Sequence, residues 1–265
     1  MLFTGGQTGA GKSRLVAMLA EQDPSAVLIL IDELRQFHPQ IDEIKQNYPN
    51  LLEEATMNDA YAWADMAKQI ALEQGYSIIN EKTLRDPDGI VGSVQDNSSR
   101  GCKSDFHVLA VSELESALSV FERYMSMYTE GNTTARLTNM SYHTVTYNDM
   151  LATVKELERL RIANSIQIYI RGDESIGQEP IQVYTSSQGS QTFPSAAEAV
   201  AFHRAKDARR AIGTFGERYR RIFEFLTLNN LMDETAAEQL RTLMEIYNRT
   251  MENIAKPEET EEYVQ

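Results

Sequence analysis

Eight residues close to the first methionine have the types and spacing of a loop that binds phosphate groups. They read Gly6-Gln7-Thr8-Gly9-Ala10-Gly11-Lys12-Ser13. This run fits G-x-x-x-x-G-K-[ST], in which glycines let backbone N–H groups surround phosphate oxygens, the lysine supplies a positive charge and the last hydroxyl reaches Mg²⁺. A simple glycine-rich turn is the alternative, but it leaves Lys12 and Ser13 unexplained. The motif therefore predicts a site for a nucleoside triphosphate, ATP or else GTP, with Mg²⁺.

Two acidic residues follow apolar segments that resemble strands. Asp32 comes directly after residues 26–31, and Glu81 comes directly after residues 78–80. Ligands of open parallel sheets bind beyond the carboxyl ends of the strands, so both carboxylates are expected at the rim that carries the phosphate loop. There, Asp32 could accept a proton from an attacking hydroxyl, and Glu81 could hold a substrate hydroxyl or a metal-bound water. A capping role at the start of the next helix is the alternative for each.

Three basic features carry little information when each is taken alone. Arg123 lies on a helix predicted over residues 112–128, away from its apolar stripe, as a solvated surface arginine would. Arg136 lies in a polar stretch. Residues 203–221 carry an excess of five positive charges. We interpret this segment as a solvated helical face, with docking to an acidic partner as the alternative.

The elements that must position these residues alternate between strands and helices over the first 110 residues. Such alternation predicts an α/β fold, a P-loop kinase-like parallel sheet flanked by helices. The predicted elements are strands at residues 26–31, 76–80 and 106–111, a helix at residues 53–74 and a polar loop at residues 85–104. The first of these strands has no room for a polar face, so it is expected to be buried on both sides.

The second half of the chain is predicted to be mostly helical. Its predicted elements are helices at residues 141–160 and 196–212 and strands at residues 166–170 and 181–184. We therefore divide the chain into a P-loop domain over residues 1–190 and a helical extension over residues 191–265, packed on or beside it.

Composition limits the classes of partner. The chain has 265 residues and a net charge of −14, which opposes binding to nucleic acid or anionic lipid over most of the surface. No apolar run approaches the roughly 18 residues that span a bilayer. A single cysteine, Cys102, and the absence of a secretion signal favour the cytoplasm. A polyanionic ligand would have to meet a local basic pocket.

Taken together, five stretches resemble the zeta toxins of bacterial toxin–antitoxin systems, which are P-loop kinases of UDP-N-acetylglucosamine. These stretches occur in the family's order over about residues 1–185. They are residues 5–13, 31–39, 81–85, 122–128 and 134–136, with His143 beyond them. One such stretch would be a weak signal, but five in register are fairly specific.

The resemblance implies a role for each matching residue. Lys12 and Ser13 would hold ATP phosphate and Mg²⁺, and Asp32 would be the general base that activates a sugar hydroxyl. Arg123 and Arg136 look like the pair that clamps the transferring phosphoryl group. The residues that would bind or orient the UDP-sugar are Asp32, Arg35, His38, Glu81, Thr83 and Arg85. The rest of the loop, Gly6 to Gly11, would bind the nucleotide.

The chain departs from the family pattern in three places. Leu30 stands where family members often carry a second acid. Lys82 replaces the glycine of the family's Glu-Gly-Thr and puts a long cation beside the sugar site. The strand before the phosphate loop is expected to be short, at about residues 2–4, which could alter nucleotide affinity or antitoxin docking.

The function that the resemblance implies is a toxin that phosphorylates UDP-N-acetylglucosamine and thereby blocks peptidoglycan synthesis. A small antitoxin protein would cover its nucleotide site. Two alternatives stay open: a P-loop kinase of another acceptor, such as a nucleoside or a polynucleotide, and a catalytically weakened protein that binds ATP and forms a complex with its partner.

Overall fold

The computed structural model describes residues 1–48, 51–132, 135–172, 178–187 and 192–255. Its strands are β1 (Leu2–Gly5), β2 (Val27–Ile29), β3 (Ile78–Glu81), β4 (Asp105–Leu109), β5 (Ser165–Ile170) and β6 (Ile181–Thr185). Its helices are α1 (Lys12–Gln22), α2 (Ile31–Leu34), α3 (Ile41–Asn47), α4 (Leu52–Glu73), α5 (Pro87–Ser99), α6 (Glu113–Thr129), α7 (Met140–Leu160), α8 (Ala196–Leu228) and α9 (Glu234–Ala255).

The strands form one sheet in the order β2-β3-β1-β4-β5-β6. Neighbouring strands are parallel except β6, which is antiparallel to β5. Thr4 of β1 lies opposite Glu81 of β3, so the phosphate loop leaves the sheet beside that carboxylate. Helices cover both faces: α1 packs on Ile79 and Leu109, whereas α5 and α7 pack on the face of Phe106. The predicted α/β fold class is confirmed.

The strand predicted over residues 26–31 is shorter and more exposed than expected. β2 contains three residues and lies at the edge of the sheet, and Leu28 is 44% exposed. Its burial on both sides was therefore a wrong prediction. The apolar run continues because Ile31 already belongs to α2 and packs beside Val27 in a small cluster under that helix.

Residues 85–104 were predicted to be a polar loop, but most of them form α5. Asp86 caps this helix by accepting a hydrogen bond from Gly89 N at 3.1 Å, and Pro87 occupies the first turn. Ile90 and Val94 are buried one turn apart. The prediction was wrong because so narrow an apolar stripe is hard to recognise in a polar sequence.

The C-terminal helices pack against the P-loop part of the chain. α8 is 33 residues long and extends well beyond the helix predicted over residues 196–212. Its Phe215 and Ile222 share a buried cluster with Leu118 of α6 and Leu243 of α9. The predicted boundary at residues 190 and 191 lies outside the described residues, and the division into two domains stays a prediction. Within the described part of the chain, no helix has the length and apolar character needed to cross a membrane.

Candidate functional site

The phosphate loop joins β1 to α1 and has the backbone conformation that its glycines allow. Gly9 has φ +78° and Gly11, which precedes the first residue of α1, has φ +95°. Positive φ at these positions is accessible to glycine at little cost. Lys12 therefore begins the helix, with its Nζ donating a hydrogen bond to Gln7 O at 3.2 Å. Ser13 follows it and is exposed.

A buried polar network supports the loop from below. Gln7 Nε2 donates to Val111 O and to Ser116 Oγ, both at 2.9 Å. Ser116 Oγ lies 2.9 Å from His143 Nε2. Arg204 of α8 is buried, lies 3.5 Å from Gln7 Oε1 and stacks on the ring of Tyr147. These contacts connect the loop to α6, α7 and α8 through buried hydrogen bonds.

The loop packs so closely on α6 that Gly9 has no room for a side chain. A Cβ at Gly9 would lie 2.2 Å from Ser116 O, whereas Gly101 has a similar φ of +74° with no atom within 4 Å. Gly101→Ala is expected to cost about 1–2 kcal/mol of unfolding free energy through backbone strain alone. Gly9→Ala should also weaken ATP binding by about tenfold or more, since the loop must move off α6. Urea unfolding measures the stability of both variants, and ATP titration measures their affinity. Equal ATP affinity of Gly9→Ala and Gly101→Ala would contradict the prediction.

Lys12 and Glu81 face each other at the rim of the sheet. Their charged atoms are 3.9 Å apart. Burial lowers the pKa of Lys12 despite the opposing effect of Glu81, and burial raises the pKa of Glu81 despite the opposing effect of Lys12. Both groups are therefore poorly solvated. The positive charge of Lys12 can attract an anion that enters beside the loop.

Neither carboxylate caps the helix that follows it. Asp32 is the second residue of α2 and is preceded by Leu30 at the cap position. Its side chain is 80% exposed, and its Oδ1 accepts a hydrogen bond from Arg35 Nε at 3.2 Å. Glu81 ends β3, and the next helix is capped by Asp86. The capping alternative is thus wrong for both residues.

One cleft of about 1790 Å³ runs from the phosphate loop across the carboxyl ends of the strands. Twelve of the predicted site residues line it. They are Thr8, Gly9, Gly11, Lys12, Ser13, Asp32, Arg35, Glu81, Thr83, Arg85, Arg123 and Arg136. Gly6, Gln7 and Ala10 are buried within the loop. His38 lies outside the cleft wall, with its Nε2 3.2 Å from Asp59 of α4.

The two arginines reach the cleft from different directions. Arg123 projects from α6, is exposed and forms no ion pair with the residues described, although its charge influences Lys12 and Glu81. Arg136 precedes α7 and forms an ion pair with Glu53 of α4. Thr134, which belongs to the same stretch, lies outside the described residues.

Arg35 has a second role that its sequence position did not reveal. Its guanidinium is buried and donates to Glu53 O and Thr56 Oγ1, both at 2.8 Å, in addition to Asp32. It therefore fixes α2 on α4 and holds the carboxylate of Asp32 at the cleft.

The structure also brings functional candidates to the site that the sequence did not suggest. Arg171 lines the cleft and contacts the phosphate loop. It directly follows β5, so the rule that found Asp32 and Glu81 at strand ends could have found it. Arg204 and Arg218 of α8 are buried or ion-paired, so the interpretation of residues 203–221 as a solvated face is wrong for these two.

Two buried histidines make stability depend on pH. Burial lowers the pKa of His107 and of His143 from 6.5 to about 4. Between these pH values the unfolded chain binds protons that the folded chain does not. The contribution of the two histidines to the free energy of unfolding is therefore fully present above pH 6.5 and is lost as pH falls toward 4. His143→Gln should reduce this slope by up to about 1.4 kcal/mol per pH unit. Urea unfolding at pH 6 and pH 5 measures the slope, and an unchanged value would contradict the prediction.

The fold and the loop define an α/β protein of the P-loop class. The model of one family, described as Zeta toxin, matches residues 1–179. The chain belongs to the Zeta toxin family. It is 25% identical to Toxin zeta of Streptococcus pyogenes over 191 residues, which are 72% of this chain and 64% of that protein. It is 28% identical to Toxin PezT of Streptococcus pneumoniae over 171 residues, 64% of this chain and 68% of that protein.

Solved structures show the same fold over a larger part of the chain. A chain from the PezAT chromosomal toxin-antitoxin system of Streptococcus pneumoniae superposes with a TM-score of 0.66 and 23% identity, covering 94% of this chain and 86% of that chain. A chain of the AvrRxo1-ORF1:AvrRxo1-ORF2 structure with sulphate ions gives a TM-score of 0.52 and 13% identity, with coverages of 97% and 80%. The structural likeness therefore extends into the C-terminal helices.

Proposed function

We propose that this protein is an ATP- and Mg²⁺-dependent kinase that phosphorylates a sugar hydroxyl of UDP-N-acetylglucosamine or a related UDP-sugar. The observation that supports this is that Lys12, Asp32, Glu81 and Arg123 line the same cleft. Ligand pockets usually have about 300–1,000 Å³, so a cleft of about 1790 Å³ has room for a donor and an acceptor together.

The donor side is the phosphate loop. Its backbone N–H groups and the N-terminal end of α1 suit the phosphates of ATP, and the buried charge of Lys12 suits the terminal ones. Two oxygen donors beside the loop, the hydroxyl of Ser13 and the carboxylate of Glu81, are of the kind that Mg²⁺ prefers. When bound, Mg²⁺ supplies charge neutralisation on the phosphates.

The transfer itself needs a base and nearby cations. In the proposed step the sugar hydroxyl oxygen bonds to the γ-phosphorus, its proton passes to Asp32, and the bond to the bridging oxygen breaks so that ADP leaves. Arg35 orients Asp32, and Arg123 neutralises charge on the moving phosphoryl group. Arg136 can join Arg123 only by exchanging its ion pair with Glu53 for the phosphoryl oxygens.

The acceptor side carries two cation–aromatic pairs. Lys82 lies 5.5 Å from the ring centroid of Tyr61, and the guanidinium of Arg85 lies 4.7 Å from that of Tyr142. These pairs place positive charge and flat apolar surface beside Thr83, as a nucleoside diphosphate sugar requires. Lys82, which replaces the glycine of the family pattern, would then influence which sugar is preferred.

The relatives suggest the biological role. Two of them are named toxins, and the structure with the higher TM-score comes from a toxin-antitoxin system. We infer that this protein acts in the cytoplasm as a toxin that depletes a peptidoglycan precursor. A small antitoxin protein that covers the nucleotide side of the cleft would neutralise it.

One assay tests the proposed function against its alternatives. The pure protein is incubated with ATP, Mg²⁺ and a panel of UDP-sugars, nucleosides and oligonucleotides, and both ADP and product mass are measured. A UDP-sugar that gains one phosphate supports the proposal. Phosphate on a nucleoside or an oligonucleotide would show a kinase of another acceptor. ATP binding without ADP formation would show a binding protein.

A further inference from the structure

A chain of ion pairs connects α8 with the phosphate loop. It begins at Arg171, whose Nε donates to Ala10 O at 3.1 Å while another guanidinium nitrogen donates to Gly9 O. The carbonyl groups of Gly9 and Ala10 are thereby paired with one side chain. Pairing of these carbonyl groups fixes the backbone conformation in which a loop of this kind presents N–H groups to phosphate.

Glu115 holds Arg171 in this position. Its Oε1 accepts a hydrogen bond from Arg171 at 3.0 Å, and its Oε2 accepts one from Arg218 of α8 at 2.7 Å. The exposed fractions of the three side chains are 12% for Arg171, 9% for Glu115 and 17% for Arg218. Burial alone would raise the pKa of Glu115, but Arg218 and Arg171, together with the charge of Arg210, outweigh it and the pKa is lowered. The carboxylate therefore stays ionised between two cations.

Arg218 is also fixed on its other side. Two of its guanidinium nitrogens donate to the two oxygens of Glu122 on α6, at 2.9 and 2.7 Å. Paired contacts of this kind set the orientation of the planar guanidinium as well as its position. The contacts therefore run from Glu122 of α6 to Arg218 of α8, then to Glu115 and Arg171, and from there to the loop.

We propose that Arg171, Glu115 and Arg218 are positioning residues that hold the phosphate loop in its phosphate-binding conformation. Arg218 lies on α8, beyond the residues matched by the family model, so the C-terminal helices would set the affinity of the loop for ATP. The inference rests on the proposed binding of ATP at this loop. It does not depend on which acceptor is phosphorylated.

A double-mutant cycle on ATP binding tests the proposal. Arg218→Gln and Arg171→Gln are each expected to raise the Kd for ATP by about tenfold, because each leaves Glu115 with one cation and loosens the loop. The double variant should bind ATP no more weakly than Arg171→Gln alone, since Arg218 acts only through Arg171. The Kd for UDP-N-acetylglucosamine should change less than about twofold, because the acceptor side of the cleft lies across the sheet rim.

The control is Arg220→Gln, which lies on the same helix and makes an exposed ion pair with Glu224 at 4.0 Å. It should bind ATP as the wild type does. Thermal unfolding identifies variants that fail to fold. If Arg218→Gln fails to fold, Glu115→Gln replaces it, because the amide oxygen can still accept a hydrogen bond from an arginine. Unchanged ATP affinity in folded variants, additive losses, or equal weakening of both ligands would overturn the proposal.

The outcome is separable from that of the proposed function. If UDP-sugars are not phosphorylated but these variants lose ATP affinity, the positioning role stands and the proposed substrate does not. If UDP-sugars are phosphorylated but the variants bind ATP normally, the positioning role fails alone. A wild-type protein that does not bind ATP would overturn both.

Discussion

Arg123→Gln is expected to lower kcat for phosphoryl transfer by about 10³-fold or more, because an arginine that stabilises the transferring phosphoryl group contributes about 10³–10⁵. Arg123 is exposed on α6, and no ion pair within the described part of the chain depends on it. The melting temperature should therefore stay close to that of the wild type. The Kd for ATP should change far less than kcat, since the arginine acts mainly on charge that develops during transfer. Initial rates at saturating substrates, together with an ATP titration, measure both effects.

The control for Arg123 is Arg241→Gln. Arg241 is another exposed arginine, on α9, and does not line the cleft. The same chemical change there should leave kcat as it is. A similar loss in both variants would mean that net charge, and not the position of Arg123, causes the effect. A loss in neither would remove Arg123 from the proposed mechanism.

Asp32→Asn is expected to reduce kcat by about 10²–10⁴-fold, which is the usual contribution of a general base. The amide keeps the shape of the side chain and an oxygen that can still accept the hydrogen bond from Arg35. It cannot take a proton from the sugar hydroxyl at neutral pH. Because the side chain is 80% exposed and caps no helix, the melting temperature should be nearly unchanged.

The chain offers a closely matched control in Asp42→Asn. Asp32 and Asp42 are each the second residue of a short helix, each follows an isoleucine and precedes a glutamate, and both are exposed. Only Asp32 lines the cleft. The two variants therefore remove the same charge from the first turn of a short helix. Only Asp32→Asn should lose turnover. Normal turnover in Asp32→Asn would show that Asp32 is not the base.

The two wrong predictions about secondary structure have local causes. Residues 26–31 are uniformly apolar, and such a run reads as one buried strand because periodicity cannot separate three strand residues from the start of a short helix. Residues 85–104 are polar enough to resemble a loop, although Asp86 and Pro87 are a recognisable start signal for a helix.

His38 illustrates what a matching stretch cannot determine. It follows Asp32 by six positions in a segment that resembles the family throughout, yet its ring pairs with Asp59 and lies outside the cleft wall. The direction in which a side chain points from a short helical segment depends on how that segment docks on α4. That docking is set by the buried hydrogen bonds of Arg35 to Glu53 and Thr56, which are distant in sequence.

The sequence alone determined the local chemistry: a phosphate loop whose glycines and lysine have fixed spacing, and the acids that follow or end two parallel strands. These features can be predicted from the sequence because each depends on residues that are close together in the chain. Only the tertiary structure decided which distant cations reach the loop. Arg171, which follows β5, and Arg204 of α8 contact the loop, and Arg218 of α8 supports Arg171 through Glu115. All three lie far along the chain from the loop. Contacts of that kind leave no periodic trace in the sequence.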